Sequence, residues 1–541
     1  MNPLVLAVDI GTSYTKIARY GVEPGGGPGG GPRGGGLPVR GGAPVGVVPP
    51  VPVGAVHRVP TPAVAADGTF DVAAVVDIVL DHLRDYGHRH LSPGNANTDA
   101  HASGGTDGTV RSYPNALSIT SFLSHIFLDA QYRVLGPGLS WSYHLGDESL
   151  ADVAAVAGPG ARTGAASAEA ERPVSSELLA PRLLSIARQD SHLARAIHHV
   201  VSLKDLLRYY LTGAPLTTDY SIRDYSLLRS RTDAPVVPVV NLLREAGFAA
   251  VERLLPPAHP PTAVGGRVTD SAAARYHLPP GLPVVTGSTD GTAGMYGGGI
   301  LNPNATVMLC GTTDVVMTWK PAVPTPNSPG PGRGAISRNA TATGIGEVWG
   351  ASTSDSGGVR RWLEELLKPH DAPGQPRWQD VPPGAAGVRV APGFSGERAP
   401  WNNPSLTGVI AGLQLRHHRG HVLRALLESQ AYRLRLLIEE LNPTGTMIIT
   451  GGGNTAVDLT NLRGAILPYP LYQRTDGELS LCGAAMYGIA GIHPNPAQRL
   501  EELSCAAAVA VTPVAVTPDP HYTDHYTQWR HWITTHYGAS G

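Results

Sequence analysis

Val284–Ile300 reads VVTGSTDGTAGMYGGGI. A β-branched apolar run ends in Gly-Ser-Thr-Asp, and Gly291, Gly294 and the triplet Gly297 to Gly299 follow. The pattern is a buried strand whose end carries one carboxylate, Asp290, among residues that let backbone or ligand approach closely. An Asp-Gly pair serves as a turn or as the acid of a site. The choice depends on what the rest of the chain supplies.

Two further stretches resemble each other. Leu4–Val8 is apolar and runs into Asp9, then Ile10-Gly11-Thr12-Ser13-Tyr14-Thr15-Lys16, then a second apolar run to Tyr20. Some 300 residues on, Ala305–Leu309 leads into Cys310-Gly311-Thr312-Thr313-Asp314 and the apolar Val315–Thr318. Each reads as strand, Gly-hydroxyl turn, strand. Such a tip suits phosphate: glycine exposes backbone N–H groups, hydroxyls donate, and Lys16 adds positive charge. One copy is an ordinary hairpin or a phosphate loop. Two copies suggest related halves that offer their loops to one polyphosphate. A third glycine motif, Gly451-Gly452-Gly453-Asn454, lies between a strand and a helix, where a flat or anionic ligand can rest on backbone.

The bulk composition narrows the class. The 541 residues suffice for two large domains. With 41 basic and 43 acidic residues and no basic block, nucleic acid is not expected as a ligand. The apolar runs fall short of the roughly 20 residues a membrane span needs, and MNPLVLAVDIGTS lacks the basic start of a signal peptide. Three scattered cysteines, Cys310, Cys482 and Cys505, fit a reducing, cytoplasmic setting with no disulfide framework. Cys310 reads as a small buried residue. Only four lysines occur, so Lys16 and Lys204 inside motifs stand out.

Between the motifs, residues 21–54 form a Gly/Pro-rich insert, read as a loop between strands. Residues 91–111 form a second polar insert. Helical spacing covers 72–86, 176–188, 194–210 with a stop at Gly213, and 421–441. Glu397 and Arg398 suggest an internal salt bridge. His417, His418 and His421 suggest a helix start more than a metal site. The Gly483-Ala484-Ala485 run suits close helix packing.

In this order, Asp-Ile-Gly-Thr-Ser-x-x-Lys, Gly-Ser-x-Asp-Gly, Gly-Thr-Thr, Gly-Glu-Arg-Ala-Pro, Gly-Gly-Gly-Asn and Gly-Ala-Ala, the motifs resemble the FGGY carbohydrate kinases of the actin/hexokinase/Hsp70 superfamily, nearest to gluconate- and xylulose-kinase-like members. Lys204-Asp205 and the following Leu, Tyr-Leu-Thr-Gly pattern is similar to the N-domain signature. The resemblance implies an α/β fold of two RNase H-like, actin-like ATPase domains flanking a deep cleft: 1–268 on the sugar side, 269–495 on the nucleotide side, and a C-terminal extension 496–541. It implies ATP-dependent phosphorylation of a hydroxyl on a sugar, polyol or related polyhydroxy molecule, with ATP and Mg²⁺. Asp290 matches the catalytic base and also faces substrate. Asp9 matches the acid near Mg²⁺, acting through water. Gly11, Thr12, Ser13 and Lys16 match one phosphate loop, Gly311, Thr312 and Thr313 the other, and Gly452, Gly453 and Asn454 the adenosine side. Many members carry Trp-x-Asp-x-Arg where this chain reads Trp141-Ser142-Tyr143-His144-Leu145. Trp141 and Tyr143 are therefore candidate substrate residues, and the altered segment implies an altered acceptor. The alternative is a kinase-like nucleotide-binding protein without sugar turnover. The expected partner is a small molecule, with neither nucleic acid nor membrane; a homodimer is compatible. The glycines after Asp290 are read as room for domain closure.

Overall fold

Both Gly-hydroxyl motifs sit at the tips of antiparallel hairpins, and each hairpin is the centre of a seven-stranded sheet. The computed structural model describes residues 3–22, 47–91, 113–143, 145, 147–157, 174–230, 233–321, 337–344, 346–368, 377–403, 405–445, 447–451, 456–474 and 478–537. In the first sheet, Leu4–Ile10 is buried along its whole length, as an apolar run covered on both faces must be. It pairs antiparallel with Tyr14–Gly21, placing Asp9 opposite Lys16, and parallel with Ala116–Ser121. His57–Pro60 adds to the outer side of Tyr14–Gly21. Pro283–Val285 joins Ala116–Ser121 in parallel, and Val264–Arg267 closes the edge.

The second sheet repeats the plan. Ala305–Cys310 pairs antiparallel with Asp314–Lys320 and parallel with Met447–Gly451. Glu347–Ser352 lies outside Asp314–Lys320, and Leu471–Gln473 outside Met447–Gly451. Each half thus has three antiparallel strands followed by two parallel ones, with the first strand central. This is the RNase H-like arrangement, present twice, and the duplication seen in the motifs extends to the whole topology.

Two helices join the halves. Asp290–Gly297 and Leu479–Gly491 cross so closely that a Cβ on Gly297 would lie 2.0 Å from the Leu479 carbonyl oxygen. Leu479–Gly491 is apolar all round and buried all round. Its side chains share one core with Val5, Ala7 and Val285 of the first sheet and Val307 and Val348 of the second. The Gly483-Ala484-Ala485 run is therefore a close-packing surface, as its small residues imply. Gly294 and Gly297 to Gly299 do the same work and do not provide room for closure, whereas Gly291 faces open space. A Cβ on Gly298 would meet Val307 at 2.6 Å, and Gly299, at φ +89°, lies against Ala508.

Several elements differ from the sequence reading. The first sheet takes in Val264–Arg267 and Pro283–Val285, so it continues past a boundary at 268/269. The stretch 194–210 is not one helix. Ser191–Ala196 and Leu203–Thr212 are separated by strand His199–Val201, which pairs with Ser124–Leu128. The stop at Gly213 holds, with φ 60°. Within the C-terminal extension, Thr512–Pro513 edges the second sheet, and His521–Tyr537 buries Tyr522, Tyr526 and Trp529 in a shared core. In the first insert, Val51–Pro52 forms an edge strand on Tyr20 and Gly21, while residues 23–46 lie outside the described residues, as do 92–111 of the second insert. Among the described residues no helix is long and apolar enough to cross a membrane.

Candidate active site

A cavity of about 780 Å³ opens between the halves, and both hairpins and Asp290 line it. Both hairpin tips close on the glycine N–H, through a four-residue turn in the first and a three-residue turn in the second. Gly11 N donates to Tyr14 O at 3.0 Å, and Gly311 N to Thr313 O at 2.9 Å. The tight turns leave Thr12 and Ser13, and Thr312 and Thr313, facing the cavity. Their flanks differ. Two residues before glycine the first hairpin has Asp9 and the second Leu309. Lys16 follows the first turn, where the second has Val315. At these two paired positions only the first hairpin carries an acid and a cation; the acid of the second, Asp314, follows its turn and is buried.

Asp9 Oδ2 accepts from Lys16 Nζ at 3.2 Å, and Asp9 Oδ1 is buried without a hydrogen-bond partner among the described residues. Burial raises its pKa; Lys16 opposes the rise. Lys16 also lies 2.9 Å from Glu478 Oε2, and Glu478 pairs in turn with Arg58. Burial works against the Lys16 ammonium, but the two carboxylates outweigh it and hold its pKa above the ordinary lysine value. Glu478 was not singled out from sequence. It comes from the second half, at the N-terminal cap of Leu479–Gly491.

Asp290 is the first residue of its helix, at the carboxyl end of a parallel strand. The approach is fixed on both sides. Gly287, at φ +68°, has no space for a Cβ, which would lie 2.0 Å from Ile119 O. Thr120 Oγ1 donates to Ser288 O at 2.6 Å. The Thr289 hydroxyl caps the helix by accepting from Thr292 N, and Gly291 N donates to Asp290 Oδ1 at 2.7 Å. Burial, and then the charge of Asp9, push the Asp290 carboxyl up to about 7. A carboxyl titrating there can take a proton near neutral pH.

The far side of the cavity is set by groups distant in sequence. Lys204 is fully buried, with its Nζ 2.6 Å from Asp205, 3.1 Å from Asp219 and 3.3 Å from Thr286 O. Asp205 closes a capping box with Ser202. Asp219, which lines the cavity, has its pKa raised by burial. Trp141 lines the cavity too, directly after a strand of a small four-stranded sheet. Tyr143 is not in the lining; it packs into the cluster around Leu123 and Leu183, with Arg182 5.7 Å from its ring centre.

Glu397 and Arg398 are not paired with each other through their side chains. Glu397 takes Arg433, which also bonds Asp355 at 2.8 Å, while Arg398 crosses the cleft to Glu177. Burial pushes the Cys310 thiol up to about 12, consistent with a packing residue. His418 caps the helix Arg419–Leu441 by accepting from Gly420 N at 3.1 Å, with the His421 ring edge-on against it. Gly452, Gly453 and Asn454 lie outside the described residues.

Residues 306–492 match the model of the C-terminal domain of the FGGY family of carbohydrate kinases. An L-fuculokinase of Escherichia coli O157:H7 is 26% identical over 330 residues, covering 58% of this chain and 64% of the relative. The chain thus spans somewhat under two thirds of that relative's length. A xylulose kinase of Escherichia coli strain K12 is 24% identical over 404 residues, covering 70% of this chain and 75% of the relative. The fold is that of a gluconate kinase from Lactobacillus acidophilus (TM-score 0.73, 16% identity, 100% of this chain and 99% of that one). A xylulose kinase from Rhodospirillum rubrum is similar as well (TM-score 0.69, 22% identity, 98% of each chain).

Proposed function

We propose, from the match of residues 306–492 to the FGGY carbohydrate-kinase C-terminal domain and from the two-domain fold, that this chain transfers the γ-phosphoryl group of ATP to a hydroxyl of a sugar, polyol or related polyhydroxy small molecule. The observation that carries the reading is Asp290: one carboxyl with a pKa near 7, facing a cavity that two Gly-hydroxyl hairpins share. Phosphoryl transfer asks the protein mainly for positioning, charge neutralisation and a base. Asp290 takes the acceptor hydroxyl's proton as that oxygen attacks. Gly11, Thr12, Ser13 and Lys16 hold the phosphates from one side and Gly311, Thr312 and Thr313 from the other, with Gly452, Gly453 and Asn454 toward adenosine. Trp141 forms part of the acceptor wall; Tyr143, from the packing described, supports it from behind.

Mg²⁺ fits the residues present. The partnerless Asp9 Oδ1 is a buried acceptor next to the phosphate hairpin, suited to a hydrated cation. When bound, the ion would neutralise phosphate charge. The expected partner is a small molecule, and neither nucleic acid nor membrane.

The test is ADP release with a panel of xylulose, L-fuculose, glycerol, gluconate and cyclitols. Turnover of at least one acceptor is expected. ATP binding with no turnover on any of them would favour a nucleotide-binding protein that has lost transfer. The named kinases among the relatives and the retained Asp290 speak against that alternative.

A further inference from the structure

Arg398 reaches from the second half to the first. Its guanidinium donates to the Glu177 carboxylate and to Thr353 O, and its Cζ lies 5.4 Å from the centre of the Trp141 ring. Glu177 and Trp141 both face the cavity. One buried cation holds both from behind: Arg182 donates to Ser176 O at 2.7 Å and to Trp141 O at 3.2 Å. Arg182 has no carboxylate among its described partners; its remaining hydrogen-bond contact is His125 Nδ1 at 3.2 Å, beside the Tyr143 ring. Its donors are therefore committed to the backbone that presents Trp141 and Glu177. On the opposite wall, Glu397 is locked by Arg433 and by Ser354 N at 2.8 Å, which fixes the backbone that carries Arg398.

An exposed ion pair contributes little, because two free side chains must be ordered in water. Arg398 and Glu177 differ on both counts. They are 20% and 12% exposed, and each stands on a wall already held in place. Both side chains line the cavity together with Trp141, and the pair joins its two walls.

We propose that Arg398, Glu177 and Trp141 form a cross-cleft clasp, which opens to admit the acceptor and closes to keep water out during transfer. The proposal rests on the kinase reading. Without closure, water takes the acceptor's place. Its oxygen bonds to the γ-phosphorus, the bond from that phosphorus to the ADP oxygen breaks, and orthophosphate leaves while the water's proton goes to Asp290. A hydroxyl-directed kinase suppresses this reaction by sealing the cleft. Arg398 acts here as a positioning residue.

The experiment compares wild type, Arg398→Ala, Glu177→Gln and the charge-exchanged double variant Glu177→Arg/Arg398→Glu. The readout is ADP released per acceptor molecule phosphorylated, using the acceptor panel above. Wild type is expected near one. Arg398→Ala is expected at about threefold or more above it, with ATP affinity unchanged, and the double variant is expected to return toward one. Glu177→Gln keeps the side-chain volume and serves if Arg398→Ala fails to fold. A wild-type ratio in both single variants overturns the clasp. If wild type phosphorylates nothing in the panel, the kinase reading fails, and small-angle scattering of ligand-free protein decides the clasp alone. A larger radius of gyration in Arg398→Ala supports it, and an unchanged one rejects it.

Discussion

Gly483 lies so close to Ala293 that a Cβ on it would stand 1.8 Å from the Ala293 carbonyl oxygen. The contact is backbone against backbone, in the helix pair that carries Asp290 at one end and Glu478 at the other. No side chain can turn aside to admit a methyl group. Gly483→Ala must separate the helices, at about 2–4 kcal/mol after the gain of roughly 1 kcal/mol in helix propensity. The denaturation midpoint is expected to fall accordingly. Because the same pair orients Asp290, turnover is expected to fall further than the folded fraction does. Stability equal to wild type would contradict the packing described.

Asp290→Asn tests the base. Transfer is expected to drop by about 10³-fold or more, with ATP affinity retained. In wild type, activity should rise with pH through an apparent pKa near 7. The stability effect has a definite sign. Its folded-state pKa lies above the ordinary 3.8, so the folded protein holds the proton more tightly than the unfolded chain. The contribution of this group is complete below about pH 4 and is lost as pH rises to 7. Asp290→Asn should therefore be more stable than wild type at pH 8, by on the order of 1–2 kcal/mol after allowance for its partial exposure. The difference should vanish toward pH 4. A flat pH–rate profile between 5 and 9 would remove Asp290 from the role of base.

The hairpins and Asp290 were readable because each is a local pattern: β-branched runs broken by Gly with hydroxyls or an acid at fixed offsets. Helix Arg419–Leu441 was readable for a similar reason, as a long periodic stretch. What escaped the reading is set by pairing across the chain. Glu177 and Arg398 meet over 221 positions, and Arg58 and Glu478 over 420. No local spacing encodes such pairs, and the adjacent Glu397 and Arg398 instead suggested a bond to each other. His199–Val201 was absorbed into a helix because its apolar residues continue the helical spacing; pairing with Ser124–Leu128 overrides it. Gly297 to Gly299 carried a true signal of close approach, but what approaches is Leu479 O, the Val307 side chain and Ala508.

Lys204→Met leaves Asp205 and Asp219 buried without their shared cation. Removing one member of such a cluster costs about 3–5 kcal/mol, since the remaining charges lose their compensation. Burial already raises the pKa of Asp219 against the pull of Lys204, and without Lys204 it rises further. The folded variant then gains stability by taking up protons. The penalty measured by denaturant titration should be largest near pH 8 and shrink toward pH 5. A penalty constant with pH would mean that lost packing dominates, and lost charge compensation does not.

Lys16 separates two roles for one ammonium. It bridges Asp9 and Glu478, and it borders the first phosphate hairpin. If its charge serves the phosphates, Lys16→Met removes a charge-assisted contact of about 1.5–3 kcal/mol and raises the ATP KM by about 10- to 100-fold. The acceptor KM should stay within about threefold, since the contact does not reach the acceptor. Glu478 keeps Arg58 in the variant, so the second half of the network persists. Asp9 loses its cation, and its carboxyl, already raised by burial, rises further. A weaker hold on Mg²⁺ should follow, because a protonated acid is a poorer acceptor for a hydrated cation. Titrating Mg²⁺ at saturating ATP, after treatment with a chelator, should move the half-activating concentration upward in Lys16→Met and more so at pH 6 than at pH 8. An unchanged ATP KM with an unchanged Mg²⁺ requirement would show that Lys16 only balances the two carboxylates.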